Sequence, residues 1–276
     1  MNLSKITRVL RDQEERLSLL VDLADTFSRS ARRTWGYSPE QIELGRRLMP
    51  IVTKGAAGPF LPAALARWYA TVGRLPEFTS TQNCLRPPDK LEMQYGVVVI
   101  YTENQSCAIW GIRTEDLEQD DPPVVVTDDW RYWGAHWRRE AEAVSSFALT
   151  VGLTELCLHG GRFECSGTIS RDLKMALRSA LQSVPVQPLQ WPPEVVERDP
   201  CFLVDHRVVV LLDEGSLFAA GLDDDVDEHL DELVAPGRID WTLYQAPSGI
   251  RRLEQGNYGL RSDQQIAMGP VIPPLP

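Results

Sequence analysis

The sequence predicts a fold that combines α-helices with β-strands paired as hairpins. Apolar residues recur at three- and four-residue steps through much of the first 73 residues, which is the spacing of helices with one buried face. Two runs rich in β-branched and aromatic residues, Val97–Tyr101 and Cys107–Ile112, flank a short polar turn, and this pattern favours a hairpin. A later group, Cys201–Val204, Arg207–Leu212 and Leu217–Leu222, repeats the strand pattern.

The first predicted helix spans about residues 3–33. Its apolar positions line one face and its charged positions the other, but the spacing slips between Leu10 and Leu17. Two shorter helices are therefore the alternative for this segment.

Two further helices are predicted from their end signals. Ser38 followed by Pro39 is typical of a helix start, and this helix is expected to end near Met49, before Pro50. Pro62 opens another helix, which Gly73 ends.

Beyond the central hairpin, a third apolar run opened by Pro122-Pro123 predicts a strand that follows an acidic loop at Arg113–Asp121. The remaining predictions are three helices and one connector. They are helices at Glu140–Val151, Asp172–Gln182 and Asp223–Val234, and an extended Pro-rich connector at residues 184–193.

We expect three regions along the chain. Residues 1–37 form an N-terminal helical extension, residues 38–245 form the main domain, and residues 246–276 form an irregular tail rich in glycine and proline.

The bulk composition is that of an ordinary globular chain, with 276 residues, 43% of them hydrophobic and 24% charged. No stretch approaches the roughly 20 apolar residues of a membrane span, and the charged N-terminus does not look like a secretory signal. We therefore expect a cytoplasmic protein. Its five cysteines are widely spaced and without CxxC pairs, which favours buried, reduced thiols.

Charge is distributed unevenly along the chain. Residues 1–70 hold 11 basic and 7 acidic side chains, a net charge of +4. Because the formal net charge of the whole chain is −11, the remaining residues carry a net charge of −15. Such a body would repel nucleic acid and would attract a basic protein. A merely solvated acidic surface is the alternative.

Two acidic runs concentrate this charge and are the candidate partner-binding residues. If they lie side by side in the fold, they form one negative surface. The candidates are Glu115, Asp116, Glu118, Asp120 and Asp121 in the first run, and Asp223, Asp224, Asp225, Asp227 and Glu228 in the second.

Searches for catalytic and metal-binding patterns find none. The alternating Asp223, Asp225 and Asp227 invite a calcium loop, but the sixth position, which requires glycine, holds Glu228. The spacing of Cys157, His159 and Cys165 matches no common zinc site. Glu103 has no paired carboxylate or histidine at a catalytic spacing, so we expect it to shape the turn between strands. The sequence thus predicts a protein that is not an enzyme and has no cofactor or metal.

Several segments in order resemble the SUKH superfamily (bacterial immunity and Smi-Knr-like proteins). The resemblance covers roughly residues 38–241. It rests on Leu61-Pro62 opening a helix that ends at Gly73, on Glu103–Gln105 followed by Trp110–Ile112, on Asp121–Val124, and on the late strands with an acidic helix and Trp241.

The resemblance implies an α+β fold, with a mixed, mostly antiparallel sheet flanked by helices. It also implies an immunity-type function, in which the protein binds and neutralises a cognate toxin, often a nuclease. A basic toxin would suit the acidic body of this chain. The shared motifs of the family are chiefly structural, so they do not designate a binding site.

A second function remains open from the sequence. Some members of the superfamily are regulatory or scaffolding adaptors, and here the N-terminal helix and the tail would be the docking elements. Either function requires a protein partner and involves neither direct nucleic-acid binding nor a membrane.

Overall fold

The computed structural model of the protein describes residues 10, 12–28, 35–128, 136–161, 163–189, 200–213, 215–246 and 249–251. Helices and antiparallel strands alternate in groups, which confirms the predicted α+β class. The helices within these residues are α1 (Gln13–Phe27), α2 (Pro39–Val52), α3 (Ala63–Val72), α4 (Pro76–Thr79), α5 (Val144–Glu155), α6 (Arg171–Ala180) and α7 (Val226–Leu233).

The strands divide into two antiparallel sheets, which the sequence did not separate. The first has the order β1-β3-β4-β5-β6, with β2 paired to β3, and the second has the order β13-β12-β7-β11-β10-β9-β8. The first sheet contains β1 (Cys84–Leu85), β2 (Glu92–Gln94), β3 (Val97–Thr102), β4 (Ile109–Arg113), β5 (Val124–Thr127) and β6 (Arg138–Ala141). The second contains β7 (Phe163–Thr168), β8 (Gln182–Val184), β9 (Cys201–Val204), β10 (Val208–Asp213), β11 (Ser216–Gly221), β12 (Asp240–Ala246) and β13 (Gly249–Arg251).

The predicted central hairpin is confirmed as β3 paired with β4. Val98 lies opposite Ile112, and Tyr101 lies opposite Trp110 after a register shift. A Cβ atom on Gly111 would lie 2.3 Å from the carbonyl oxygen of Val98, so this position requires glycine. The Trp-Gly-Ile segment therefore has a packing role in the sheet.

Helix α5 lies at the centre of the molecule. All of its residues except Ser146 are buried, as expected of a helix that is apolar on every side. Its Phe147 ring contacts the rings of Trp68, Tyr101 and Trp110 at centroid distances of 6.1, 5.7 and 6.3 Å. One hydrophobic core surrounds this helix and includes residues of both sheets.

A second core covers the opposite face of the second sheet. Along β10, Val209 and Leu211 belong to the core around α5, whereas Val208 and Val210 belong to the second core. This alternation follows the two-residue period of a strand. Helices α6 and α7 complete the second core, so the second sheet separates α7 from α5.

Helix α1 packs inside the main core. The sequence predicts an extension over residues 1–37, of which residues 1–9, 11 and 29–34 lie outside the described ones. Leu17, Leu20, Leu23 and Phe27 are buried in the core that contains α3 and α5. The apolar face of α1 is thus occupied within the molecule.

Several helix boundaries differ from the predictions: α5 ends at Glu155, α6 ends before Gln182, which lies in β8, and α7 begins at Val226. Two further differences have a clear cause. Helix α2 has the predicted Ser38 cap, but it continues through Pro50, because the amide N–H of Thr53 still reaches the Met49 carbonyl at 2.8 Å. The predicted helix start at Glu140 is wrong. That residue lies in β6, where pairing with β5 overrides helical propensity, and α5 begins at Val144.

The segment after Trp241 is also more ordered than predicted. Strand β12 pairs with β7 and β13, and the β12–β13 pair crosses the expected boundary between residues 245 and 246. Residues 252–276 of the predicted tail lie outside the described ones.

The cysteines form no disulfide. Cys157 and Cys165 are buried as predicted, and burial raises the pKa of both thiols. Cys84, in contrast, is an exposed residue at the edge strand β1. The prediction of buried, reduced thiols therefore holds fully for only part of the set.

Candidate functional site

The acidic loop, residues 113–121, joins β4 to β5 and is fixed by its neighbours. Leu117 inserts into the main core, and the Asp120 carbonyl accepts a hydrogen bond from the Ala64 amide at the start of α3 (2.9 Å). At the other end, the Thr114 amide donates to the Gly96 carbonyl at 2.9 Å. The loop thus presents its exposed side chains from a defined backbone.

Three acidic side chains of the loop lie on its exposed surface. Glu115, Glu118 and Asp120 are exposed, and none of them forms an ion pair with another residue that the structure describes. Asp116 is partly buried, and its carboxylate accepts a hydrogen bond from the side-chain amide of Gln119 at 2.8 Å. The exposed negative charge of the loop therefore resides mainly in three residues.

Asp121, the last predicted binding residue of the loop, forms contacts inside the molecule. Its carboxylate accepts hydrogen bonds from the Ser145 amide (2.8 Å) and the Ser145 hydroxyl (2.5 Å). The Arg16 guanidinium lies 3.6 Å from the same carboxylate. A carboxylate in this position stabilises the N-terminus of α5, so Asp121 connects α1, the acidic loop and α5.

The second acidic run has its own cation. Arg207, which immediately precedes β10, donates to the Asp225 carboxylate at 2.5 Å and lies 3.7 Å from that of Asp223. The hydrogen bond from Arg207 lowers the pKa of Asp225 below its ordinary value. Part of the charge of this run is therefore compensated inside the molecule.

A buried contact reinforces this end of α7. The Asp205 carboxylate accepts hydrogen bonds from the amides of Arg207 (2.6 Å) and Val208 (2.9 Å), and it contacts His229 Nε2 at 2.8 Å. The side chains of Asp205 and His229 are mostly buried. These contacts attach α7 to the β9–β10 turn. Asp224 and Glu228 are exposed, and Asp227 is partly buried.

The two acidic runs do not form one surface. Leu117 of the acidic loop belongs to the core around α5, whereas Val226 and Leu230 of α7 belong to the core on the other face of the second sheet. The sheet lies between them. The prediction of a single combined negative face depended on the two runs lying together, and the fold places them apart.

The Arg207–Asp225 pair predicts a pH dependence of stability. Because the folded-state pKa of Asp225 is depressed, the pair stabilises the fold above the ordinary aspartate pKa, and that contribution is lost as the pH falls through the folded-state value. We expect Asp225→Asn to lower the melting temperature at pH 7 and to leave it nearly unchanged at about pH 2. Thermal unfolding of both proteins at the two pH values measures this. An equal deficit at both values would contradict it.

A fully buried carboxylate lies at the far end of α5. Glu155 accepts hydrogen bonds from the Tyr101 hydroxyl (2.5 Å), the Thr81 hydroxyl (2.8 Å) and the amides of Gln82 (2.6 Å) and Asn83 (3.0 Å). Burial, followed by the nearby Glu155 charge, raises the pKa of Tyr101 well above its ordinary value. A π-helical turn, Leu156–Gly160, follows directly, which is a feature frequent at functional sites.

Beside Glu155, a cavity of about 240 Å³ opens between the two sheets. The Glu103 turn forms part of its wall. There the Glu103 carboxylate accepts from the amides of Gln105 (2.7 Å) and Cys107 (3.0 Å), which confirms its predicted turn-shaping role. The Asn83 side chain extends this connection, since its oxygen accepts from the Asn104 amide at 3.3 Å.

Glu155 and Arg207 were not predicted as site residues, although the sequence contains an indication of each. Glu155 is the only charged residue in the apolar stretch that forms α5, and a lone charge in such a stretch is either paired or functional. Arg207 is the last cation before a long run without lysine or arginine. Neither signal states which distant residues would be the partners.

Two features are absent from the part of the chain that the structure describes: a cluster of metal-binding side chains and a membrane-spanning helix. Within it, no group of three or more His, Cys, Asp or Glu side chains is placed to hold a metal ion. None of its helices combines the length and the apolarity needed to cross a bilayer.

Comparisons with protein-family models, with curated proteins and with solved structures found no match to this chain. The resemblance to the SUKH superfamily therefore rests on the sequence motifs alone.

Proposed function

We propose that this chain is a non-enzymatic protein-binding module of the SUKH type, and that it binds and neutralises a basic toxin through the acidic loop. The observation that carries the proposal is the fixed backbone of this loop with Glu115, Glu118 and Asp120 exposed upon it. A preordered acidic surface needs little reorganisation to bind a basic partner. It also accelerates the encounter by long-range attraction.

The acidic loop is a better candidate than the run at α7 for an electrostatic reason. Arg207 already neutralises part of the α7 run, whereas the three exposed acids of the loop have no such cation among the described residues. A partner's lysine or arginine would therefore meet an uncompensated field at the loop. If the toxin is a nuclease, its phosphate-binding surface supplies the complementary positive charge.

Matched charge reversals test this assignment. One variant combines Glu115→Lys, Glu118→Lys and Asp120→Lys, and the other combines Asp224→Lys, Asp227→Lys and Glu228→Lys. Each variant carries three reversals of two units, so the net charge changes equally. The resemblance implies that the toxin is encoded alongside its immunity protein, so the test partner is the protein encoded by the adjacent gene. We expect the loop variant to bind it roughly 10- to 100-fold more weakly than the unmodified protein does. The α7 variant should remain within about threefold of the unmodified protein.

Two outcomes would contradict binding through the acidic loop. Equal losses in both variants would show that net charge alone matters, and a loss confined to the α7 variant would assign binding to the opposite face. Thermal unfolding of both variants verifies that each remains folded.

The adaptor function is the second proposal, and the packing of α1 limits how it could operate. Because Leu17, Leu20 and Phe27 are buried, only the polar side of α1 is accessible to a partner. Substitution of Glu14 and Asp25 by lysine tests docking there, since both residues are exposed. Loss of partner binding in this variant, with the loop variant unaffected, would favour the adaptor.

A further inference from the structure

We propose that Tyr95 and Phe60 are the aromatic anchors of the toxin-binding surface, and that the toxin contacts them with arginine side chains. This role depends on the function proposed above and specifies the chemistry of the partner. Among the described residues, five large apolar side chains are exposed, and the two aromatic ones are Tyr95 (51%) and Phe60 (45%). Aromatic side chains are enriched among the residues that contribute most to binding in protein interfaces.

Tyr95 lies at the first end of the acidic loop. It forms the turn between β2 and β3 together with Gly96, whose carbonyl accepts the hydrogen bond from the Thr114 amide at 2.9 Å. Thr114 directly precedes Glu115, the first exposed acid of the loop. One backbone hydrogen bond therefore joins the turn that carries the tyrosine ring to the loop that carries the carboxylates.

The backbone at Tyr95 favours a different residue. The φ angles of Tyr95 and Gly96 are 50° and 79°, and positive values at both positions are typical of the tight hairpin turn that prefers Asn-Gly. A tyrosine at positive φ costs free energy. Its side chain forms no hydrogen bond, ion pair or ring contact within the described part of the chain, so no such contact offsets this cost.

Phe60 lies near the other end of the acidic loop. The Asp120 carbonyl accepts from the Ala64 amide at 2.9 Å, and the four residues from Phe60 to Ala64 span at most about 14 Å. A Cβ atom on Gly58 would lie 2.7 Å from the Phe60 ring, so the ring packs directly against the Gly58 backbone. An interface of typical size, about 800 Å² on each partner and about 30 Å across, can include both ends of the loop.

The combination of rings and carboxylates favours arginine on the partner. A guanidinium group is planar, so it can stack on an aromatic face while its N–H groups pair with a carboxylate. The ammonium group of lysine is compact and strongly hydrated, and it lacks this plane. The charge of Glu115, Glu118 and Asp120 selects a cationic partner, and the adjacent rings select among cations.

Two peptides of equal charge isolate the contribution of the rings. Calorimetric titration of the full chain with deca-arginine and with deca-lysine, at about 50 mM salt, keeps the long-range attraction to the acids similar in both cases. We expect deca-arginine to bind about 5- to 25-fold more tightly, because each exposed cation–π contact contributes about two- to fivefold in affinity.

A combined variant, Tyr95→Asn with Phe60→Leu, removes both rings. Asparagine favours this turn and leucine keeps an apolar contact with Gly58, so the melting temperature should not fall. The variant should lose most of the preference for deca-arginine, whereas its affinity for deca-lysine should change by less than about twofold. Tyr95→Asn alone should weaken deca-arginine binding about two- to fivefold, and Tyr95→Phe, which keeps a ring, should not.

Met175→Gln is the matched control. It removes an apolar side chain that is 54% exposed on α6, which packs on the opposite face of the second sheet from α5. Both peptide affinities should remain unchanged in this variant.

Unchanged deca-arginine affinity in the combined variant, or an equal loss for both peptides, would overturn the role of the rings. The variant with Glu115, Glu118 and Asp120 changed to lysine separates this failure from a failure of the proposed function. If it weakens both peptides while removal of the rings has no effect, the acidic loop binds without aromatic anchors. If only removal of the rings weakens binding, the rings bind arginine and the acidic loop is not the binding surface.

Discussion

Replacing Glu155 by glutamine is expected to lower the free energy of unfolding by about 3–5 kcal/mol, the cost of disrupting a buried charged network. The Glu155 carboxylate takes part in four hydrogen bonds and is the acceptor in each of them. Glutamine has the same shape, but its amide nitrogen is itself a donor. Whichever carboxylate oxygen the amide nitrogen replaces, the backbone N–H of Gln82 or Asn83 on that side would face another donor. The Tyr101 or Thr81 hydroxyl on the same side can turn to accept instead, but it then no longer donates to this group.

Urea denaturation measures this effect, and an unchanged dependence on denaturant shows that the folded state keeps its compactness. Glu142→Gln is the control, because its side chain is 79% exposed, and it should change stability by less than about 0.5 kcal/mol. A cost below about 1 kcal/mol for Glu155→Gln would mean that the carboxylate is not essential to this network.

Leu20→Ala is expected to cost about 3–5 kcal/mol, because Leu20 is fully buried where α1 approaches α5. The approach is close: a Cβ atom on Gly152 would lie 2.4 Å from a methyl carbon of Leu20. A cavity left at this contact could not be filled without moving one of the two helices. The same substitution at Leu44, which is 42% exposed on α2, should cost less than about 1 kcal/mol.

Denaturation of the two alanine variants under identical conditions makes this comparison. Equal costs would show that α1 is peripheral to the fold and would return it to the role of a detachable docking element. The expected difference also means that deletion of residues 1–35 would remove part of the core. Loss of a partner after such a deletion would therefore report unfolding rather than docking.

Local patterns in the sequence predicted those elements whose stability is local or periodic. The hairpin of β3 and β4 follows from its β-branched residues and short turn, and Ser38 does cap α2 as expected. Helix α7 was predicted from an acidic first turn and an apolar side, and it begins two residues after Asp224. In each case the residues that determine the structure are near neighbours in the chain.

The features that escaped prediction depend on distant partners. Strand β7 contains glycine, serine and glutamate and has little strand propensity, yet it lies between β11 and β12, whose pairing fixes it. A Cβ atom on Gly167 would lie 2.8 Å from the Asp240 carbonyl oxygen, so that glycine permits a close strand approach. Glu155 bonds to residues 54 to 74 positions away.

The arrangement of the candidate site also depends on residues that are distant in the sequence. Composition alone located both acidic runs, but the side of the second sheet on which each run lies depends on how α7 packs against β7 and β11. The sequence likewise could not show that Asp121 caps α5, or that Arg207 contacts Asp223 and Asp225. Only the structure distinguishes the acids with such internal contacts from Glu115, Glu118 and Asp120, which are exposed on the loop.

The most direct test of the central claim is the salt dependence of the association rate between the full chain and the protein encoded by the adjacent gene. We expect the rate to fall steeply between about 10 mM and 500 mM salt, because screening shortens the range of the attraction. The variant with Glu115, Glu118 and Asp120 changed to lysine should lose most of this dependence, and the α7 variant should keep it. A rate that does not respond to salt, or a dependence that is lost only in the α7 variant, would contradict binding through the acidic loop.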